Sequence, residues 1–149
     1  MKFSTKGRYG LRAMVDLAVH SKGEHVALYS IAERQGISTN YLEQVFSLLR
    51  KSGLVRSVKG AQGGYILAQA PEEIKVGRIL RVLEGELSVI DRSAESTDGN
   101  ETGIQHCIRI SVWDKMNESL NELVDSMTLE ELADKYRQKN CIQDTMYYI

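Results

Sequence analysis

At 149 residues and 42% hydrophobic content, the chain has material for one compact domain, with or without an appended arm. No apolar run approaches the ~20 residues of a membrane span, and Met1 to Lys6 lacks the hydrophobic stretch of a secretion signal. Two cysteines, Cys107 and Cys141, are too few to staple a fold, which points to a reducing cytoplasm. The net charge of −1 hides a division: residues 1–59 carry +6 and residues 60–149 carry −7. Local positive potential draws a protein to DNA, because lysine and arginine displace counterions condensed on phosphates. The acidic part discourages its own adhesion and leaves one face to dock.

In chain order, a first helix is expected from about Thr5 to His20, with Leu11, Met14, Val15 and Ala18 as its core stripe and Gly23 behind it. A short helix near Leu28 to Gln35 buries Leu28, Ile31 and Ala32 and stops at Gly36. Ser38 is placed to cap a third helix reaching Ser52, with Asn40 and Glu43 as an alternative capping pair. Leu42, Val45, Phe46 and Leu49 form its apolar stripe, while Asn40, Glu43, Gln44, Ser47 and Lys51 form a polar row turned away from it. Two short helices joined by so tight a turn make a helix-turn-helix. Leu54 to Val58 and Tyr65 to Leu67 read as strands around the glycine-rich tip Lys59-Gly60-Ala61-Gln62-Gly63-Gly64, the wing of a winged helix.

Pro71 marks the exit to a fourth helix, about Lys75 to Leu83, burying Val76, Ile79, Leu80 and Leu83. Ser88 to Gln105 reads as a surface loop. A long helix near Cys107 to Ser126 then carries Val112, Met116, Leu120 and Leu123, flanked by Trp113. A second copy of the chain is the expected cover for this stripe, with packing back onto the first and fourth helices as the other outcome. Thr128 begins a last helix expected to end near Tyr136. The fold class is mainly α with a small β-hairpin. Residues 1–86 form a winged helix-turn-helix domain, 87–106 a flexible sensor-type loop, 107–136 a dimerisation helix with a short helix after it, and 137–149 a tail.

A groove-reading helix uses its N-terminal turns, so Ser38, Asn40, Tyr41, Glu43 and Gln44 are the candidates for base edges. Asn40 and Gln44 suit adenine. Glu43 suits the cytosine amino group, where it would discriminate bases by ~1–3 kcal/mol while adding little affinity. Its alternative role is to complement the helix dipole. Lys6, Arg8, Tyr9, Arg56, Lys59 and Gly60 are candidates for phosphate or minor-groove contact. No enzyme motif competes: His20, His25 and His106 lie apart from any nucleophile motif, and Gly60-x-x-Gly63-Gly64 stands between strands, the wrong context for a nucleotide loop.

Ser4-Thr5-Lys6-Gly7-Arg8-Tyr9, Ser38-x-x-Tyr41-Leu42-Glu43-Gln44, and Gly53-Leu54-Val55 with Lys59-Gly60-x-x-Gly63-Gly64-Tyr65 resemble the Rrf-two (Rrf2) family of bacterial winged-helix transcription factors. The resemblance covers about residues 1–86 and continues through the long helix. It implies a homodimer on a roughly palindromic operator, with Glu43 and its neighbours in the major groove and Lys59 in the minor groove.

One branch of the family senses a [2Fe–2S] cluster held by three cysteines and a histidine. Cys107 matches the last of those cysteines, but Arg92 and Asp98 occupy the stretch of the other two, and Ile110 stands where the histidine would be. His106 and Cys107 are adjacent, and neighbours on a helix diverge, so no cofactor is expected; an iron–sulfur cluster is the alternative. The other branch, repressors of cysteine metabolism, lacks the cluster and has an aromatic–isoleucine tail. Here Met146-Tyr147-Tyr148-Ile149 is similar, which implies that Tyr147, Tyr148 and Ile149 bind O-acetylserine thiol-lyase. Cys107 at a helix N-terminus is also a candidate redox switch. The resemblance thus implies a repressor of sulfur and cysteine metabolism genes, controlled by a partner enzyme or redox state. The alternative is a cluster-sensing regulator of cluster-assembly or stress genes.

Overall fold

The computed structural model describes residues 2–91 and 102–147, with 142–147 as helical backbone. Helix α1 (Thr5–His20) is capped by Ser4, and its core face is Ala13, Met14, Leu17 and Ala18. Leu11 and Val15, expected inside, are half-buried. The reason lies in two glycines that hydrophobic periodicity does not register. Gly7 and Gly10 turn toward the C-terminal end of α4 (Val76–Glu84), where a Cβ on Gly10 would strike the Leu83 side chain. That rotation carries Leu11 and Val15 to the helix flank.

Helix α2 (Leu28–Gln35) buries Ile31 and Ala32, leaves Leu28 half-buried, and ends on left-handed Gly36 at φ 65°. Helix α3 (Thr39–Lys51) buries Leu42, Val45, Phe46 and Leu49, the expected stripe. Strands β1 (Val55–Val58) and β2 (Gly64–Leu67) pair antiparallel, with Val55 opposite Leu67 and Val58 opposite Gly64. Val26 adds an unforeseen rung on the outer edge of β2: its N–H and C=O each bond Tyr65 at 2.9 Å. The segment before α2 is thereby stitched to the wing.

A 3₁₀ turn (Pro71–Glu73) leads to α4, in which Val76, Ile79, Leu80 and Leu83 are buried as expected. Helix α5 (Gly103–Ile108) passes through a π-helical turn (Arg109–Trp113) into α6 (Asp114–Ser126), so the long helix starts a turn earlier than expected. Residues 92–101 of the expected loop lie outside the described residues. Its last residues, Gly103 to His106, are helical, and at its start Val89 N–H donates to Asn117 Oδ1 at 2.7 Å.

The last helix, α7 (Leu129–Tyr147), runs well past Tyr136, so much of the expected tail is helix. Apolar periodicity fades after Tyr136, but Arg137, Gln138 and Lys139 are good helix formers. Arg137 ties this stretch down by donating to the Ala18 carbonyl and pairing with Glu130 at 2.8 Å. Tyr148 and Ile149 lie outside the described residues.

One core joins α1, α2, α3, the hairpin and α4 with Leu129 and Ala133 of α7, and the Phe46 and Tyr65 rings meet at 4.9 Å in it. A second cluster, Val76, Leu80, Leu87 and Val124 with Leu120 against it, bolts α6 onto α4. Among the described residues no helix is long and apolar enough to cross a membrane.

Candidate nucleic-acid interface

The α3 helix separates its two chemistries cleanly. The four stripe residues are at most 1% exposed, whereas Asn40, Glu43, Gln44 and Lys51 are exposed and Ser47 is half-buried. Ser38, rather than the Asn40–Glu43 pair, supplies the cap: its hydroxyl accepts the Tyr41 N–H at 3.1 Å. This leaves Asn40 and Glu43 uncommitted to capping. Tyr41 is half-buried and meets the Tyr9 ring edge-on at 6.0 Å, so it packs as well as borders the polar face.

Around this helix, cations are held by main-chain carbonyls and rings. Arg8 and Arg12 lie 5.8 and 5.1 Å from the Tyr9 ring centre. Arg12 also donates to the carbonyl and side-chain oxygen of Gln35. Lys6 and Lys59 are exposed, and Arg56 donates to the Ala68 carbonyl at 3.2 Å, close to the base of the wing. At the wing tip Gly60 has φ 131°, Gly63 N–H bonds the Gly60 carbonyl at 3.1 Å, and the His25 ring contacts the Gln62 carbonyl. The structure thus brings Ser38, Asn40, Glu43 and Gln44 together on one solvent face.

Several positioning residues escaped the sequence reading. Glu84 accepts Ser4 N–H at 2.8 Å, Ser4 Oγ–H at 2.6 Å and Gly7 N–H at 3.1 Å, anchoring the start of α1 and with it Lys6 and Arg8. Arg78 donates to the Ser52 carbonyl at 3.0 Å and Gln69 Oε1 at 3.1 Å, joining the end of α3 to the chain leaving the wing. Asp16, 3% exposed, accepts from Arg34 Nη2 at 2.7 Å and Gln35 Nε2 at 2.9 Å, fixing the end of α2 just before the turn into α3. Their only sequence signal was charge at an otherwise core-facing or helix-terminal position.

The long helix has two edges. Leu120 and Trp113 are half-buried against their own chain, while Val112, Met116 and Leu123 are 40–58% exposed. Ile104 and Ile108 extend the exposed apolar edge toward the helix start.

Cys107 does not sit at the helix N-terminus. Thr102 and Gln105 close a capping box on the first turn, and Cys107 lies beyond it, exposed. The dipole argument for a reactive thiolate therefore loses its geometry. His106 Nδ1 lies 3.1 Å from Arg109 Nη2, and Arg109 pairs with Asp114 at 3.2 Å. No three His, Cys, Asp or Glu side chains gather as metal ligands among the described residues. Cys141, also exposed, is on α7. This donor set does not fit an iron–sulfur cluster, which needs several thiolates converging.

The Rrf2 family model, described as an iron-dependent transcriptional regulator, matches residues 3–135. The chain belongs to the Rrf2 family. Similar proteins include the transcriptional regulator IscR of Pectobacterium carotovorum, 41% identical over 137 residues that cover 89% of this chain and 79% of that protein. CymR of Bacillus subtilis is 42% identical over 134 residues, 89% of this chain and 90% of CymR. The solved structure of that global cysteine regulator superposes with a TM-score of 0.77 over 91% of this chain and 98% of CymR. The structure of IscR from T. potens, 50% identical, gives 0.71 over 91% and 88%. This Rrf2 protein is thus a DNA-binding transcriptional regulator rather than an enzyme, with the mainly helical winged fold expected of it.

Proposed function

We propose that this Rrf2 regulator acts as a homodimeric repressor of sulfur and cysteine metabolism genes. The α3 helices of the two subunits read base edges through Ser38, Asn40, Glu43 and Gln44, with Tyr41 at the border. Lys59 and Gly60 enter the minor groove, and Lys6, Arg8, Tyr9 and Arg56 meet phosphates. The observation that carries the reading is the outward polar row of α3, exposed along Asn40, Glu43 and Gln44 while the opposite stripe is sealed in the core. The exposed edge of Val112, Met116 and Leu123 supports pairing of two chains through the long helices.

Selection of bound duplexes from a random pool supplies the operator, and titration against salt tests the mode. Affinity should fall steeply and linearly in log–log form with ionic strength. Glu43→Ala should relax base choice at one position of each half-site, by ~1–3 kcal/mol of discrimination, with overall affinity nearly kept. Lys59→Ala should weaken all duplexes alike and reduce the salt slope by about one. Unchanged base preference in Glu43→Ala would remove its readout role.

The effector is proposed to be a partner enzyme or the redox state of the cell. For the enzyme, Tyr147, Tyr148 and Ile149 dock to O-acetylserine thiol-lyase, and removing Ile149 should abolish that binding. Cys107 is the redox candidate by exposure, and Cys107→Ser should make operator affinity indifferent to peroxide. The second reading, an iron-dependent or cluster-sensing regulator, rests on the family description and the 50% identity to T. potens IscR, and would need ligands beyond the described His106 and Cys107. Brown, iron-containing protein from anaerobic purification would select it over the cysteine-metabolism reading.

A further inference from the structure

The wing tip has little structure of its own. Beyond the last strand pair, Val58 with Gly64, the chain from Lys59 to Gly63 crosses between the strands. A turn over Gly60 to Gly63 shapes it, closed by the Gly63 N–H on the Gly60 carbonyl at 3.1 Å. Gly60, at φ 131°, holds a backbone conformation that L side chains rarely adopt. Glycine loses more backbone freedom on being fixed than any other residue. A tip of this composition therefore gives up affinity when it docks, unless something orders it before DNA arrives.

A group from outside the hairpin reaches it. After α1 the chain reverses in a tight turn, with the Glu24 N–H on the Ser21 carbonyl, Lys22 at φ 38° and Gly23 at φ 82°. That reversal delivers His25 and Val26 against the wing. Val26 engages its base through the main chain of Tyr65. The exposed His25 ring extends to the tip, where Nε2 meets the Gln62 carbonyl. Gln62 is the third residue of the tip turn, and the turn closes on the Gly60 carbonyl instead, so the Gln62 oxygen is available to an outside donor. A carbonyl only accepts, which assigns the proton to Nε2 and makes His25 the donor. The end of α1 from which His25 departs is itself pinned, because Arg137 of α7 donates to the Ala18 carbonyl at 3.3 Å.

We propose that His25 is a positioning residue for DNA binding, which holds the Gln62 carbonyl and so fixes the wing tip before the duplex arrives. Its effect on affinity rests on the reading of Lys59 and Gly60 as groove contacts; the tether itself is a property of the free protein. His25 acts through the wing, as a hydrogen-bond donor, without touching DNA. Ring volume alone cannot replace it, whereas another side chain with a donor at similar reach can.

The test compares His25→Phe, which keeps a ring without the donor, with His25→Gln, which keeps a donor, both in the full chain. Amide exchange at Gly63, followed by NMR without DNA, reads the tether. His25→Phe should speed it by about threefold to tenfold, the worth of one neutral hydrogen bond, and His25→Gln should stay near the parent. Affinity for the selected duplex should fall by a similar factor in His25→Phe and recover in His25→Gln. The melting temperature should not move, since the position is exposed. In a Lys59→Ala background, His25→Phe should cost nothing further, because the contact it positions is already gone. Unchanged Gly63 exchange in His25→Phe, or equal behaviour of the two variants, would overturn the tether. Full duplex affinity in His25→Phe, or a loss that adds to that of Lys59→Ala, would overturn the positioning role. Undiminished affinity in Lys59→Ala alone would fault the wing reading instead, and Gly63 exchange would then decide the tether by itself.

Discussion

Replacing Asp16 by alanine should destabilise the protein by about 2–3 kcal/mol, an intermediate value that follows from the exposure of its partners. Removing one member of a fully buried ion pair costs ~3–5 kcal/mol, because the other charge is stranded. Exposed pairs contribute only ~0–1 kcal/mol. Here the Asp16 side chain is 1% exposed but that of Arg34 is 35% exposed, so water can reach the abandoned guanidinium. The Gln35 amide also loses its acceptor. For a chain of this size, roughly 2–4 °C of melting temperature per kcal/mol gives a fall of about 5–10 °C. The hydrogen bonds to Asp16 hold the Arg34 guanidinium above its ordinary value. A raised basic group contributes stability that is complete below its unfolded pKa and lost only as pH rises through the folded one, far above neutrality. The Arg34 side of the pair should therefore give the same loss at pH 6 and pH 8. Thermal melts of Asp16→Ala, Arg34→Met and the double variant measure the coupling. A fall below about 1 °C, or a coupling energy below ~0.5 kcal/mol, would refute the assignment of Asp16 as the anchor of α2.

Three further outcomes are expected. Met116→Asp with Leu123→Asp should leave the fold intact, since both side chains are exposed, and yield a monomer in sedimentation; a persisting dimer would place the subunit contact elsewhere. Bidentate bonds from Arg81 hold the Asp125 carboxyl below its usual range, a contribution present at neutral pH and lost as pH falls through that lowered value. Asp125→Asn should therefore lose stability at pH 7 but differ less and less from the parent as pH falls through and below the ordinary carboxylate range, read from urea midpoints. Gly64→Ala should destabilise by more than a helical Gly→Ala change could recover, because its Cβ would meet the Val26 carbonyl, main chain that cannot step aside; an unchanged melting temperature would contradict the edge rung.

The sequence disclosed α2, α3 and α4 to within a residue or two because each carries an apolar stripe at helical spacing, joined by a glycine stop in α2 and by a serine cap in α3. Leu42, Val45, Phe46 and Leu49 stand at helical spacing between Ser38 and Gly53, and nothing tertiary overrides them. The polar row of the candidate site followed from the same periodicity. Where packing was decided by absent side chains, the pattern misled: Gly7 and Gly10 rotate α1, displacing Leu11 and Val15 from the core. The extent of α7 was hidden because residues after Tyr136 carry helix propensity without an apolar face. Asp16, Arg78 and Glu84 were illegible for another reason: the partners that make them anchors, Arg34, Ser52 and Ser4, lie 18, 26 and 80 positions away along the chain.

Those long-range polar contacts also connect the reading helix to the proposed pairing edge. Arg81 on α4 binds Asp125 at 2.7 Å and Asn121 at 2.7 Å on α6, and Asn121 in turn donates to the Leu87 carbonyl. The apolar cluster of Val76, Leu80, Leu87 and Val124 closes the same junction. Helix α4 packs on α3 and α1, so the exposed edge of α6 is held at a fixed angle to the polar face of α3 by side chains that touch neither DNA nor a second subunit. If two chains pair through Val112, Met116 and Leu123, the distance between their reading helices is set at this junction. Groove periodicity demands a separation of about 34–36 Å or a multiple of it. Loosening Arg81 should then leave contacts within one half-site unchanged while broadening the tolerated spacing between half-sites, which separates a spacing role from a readout role on the same set of duplexes.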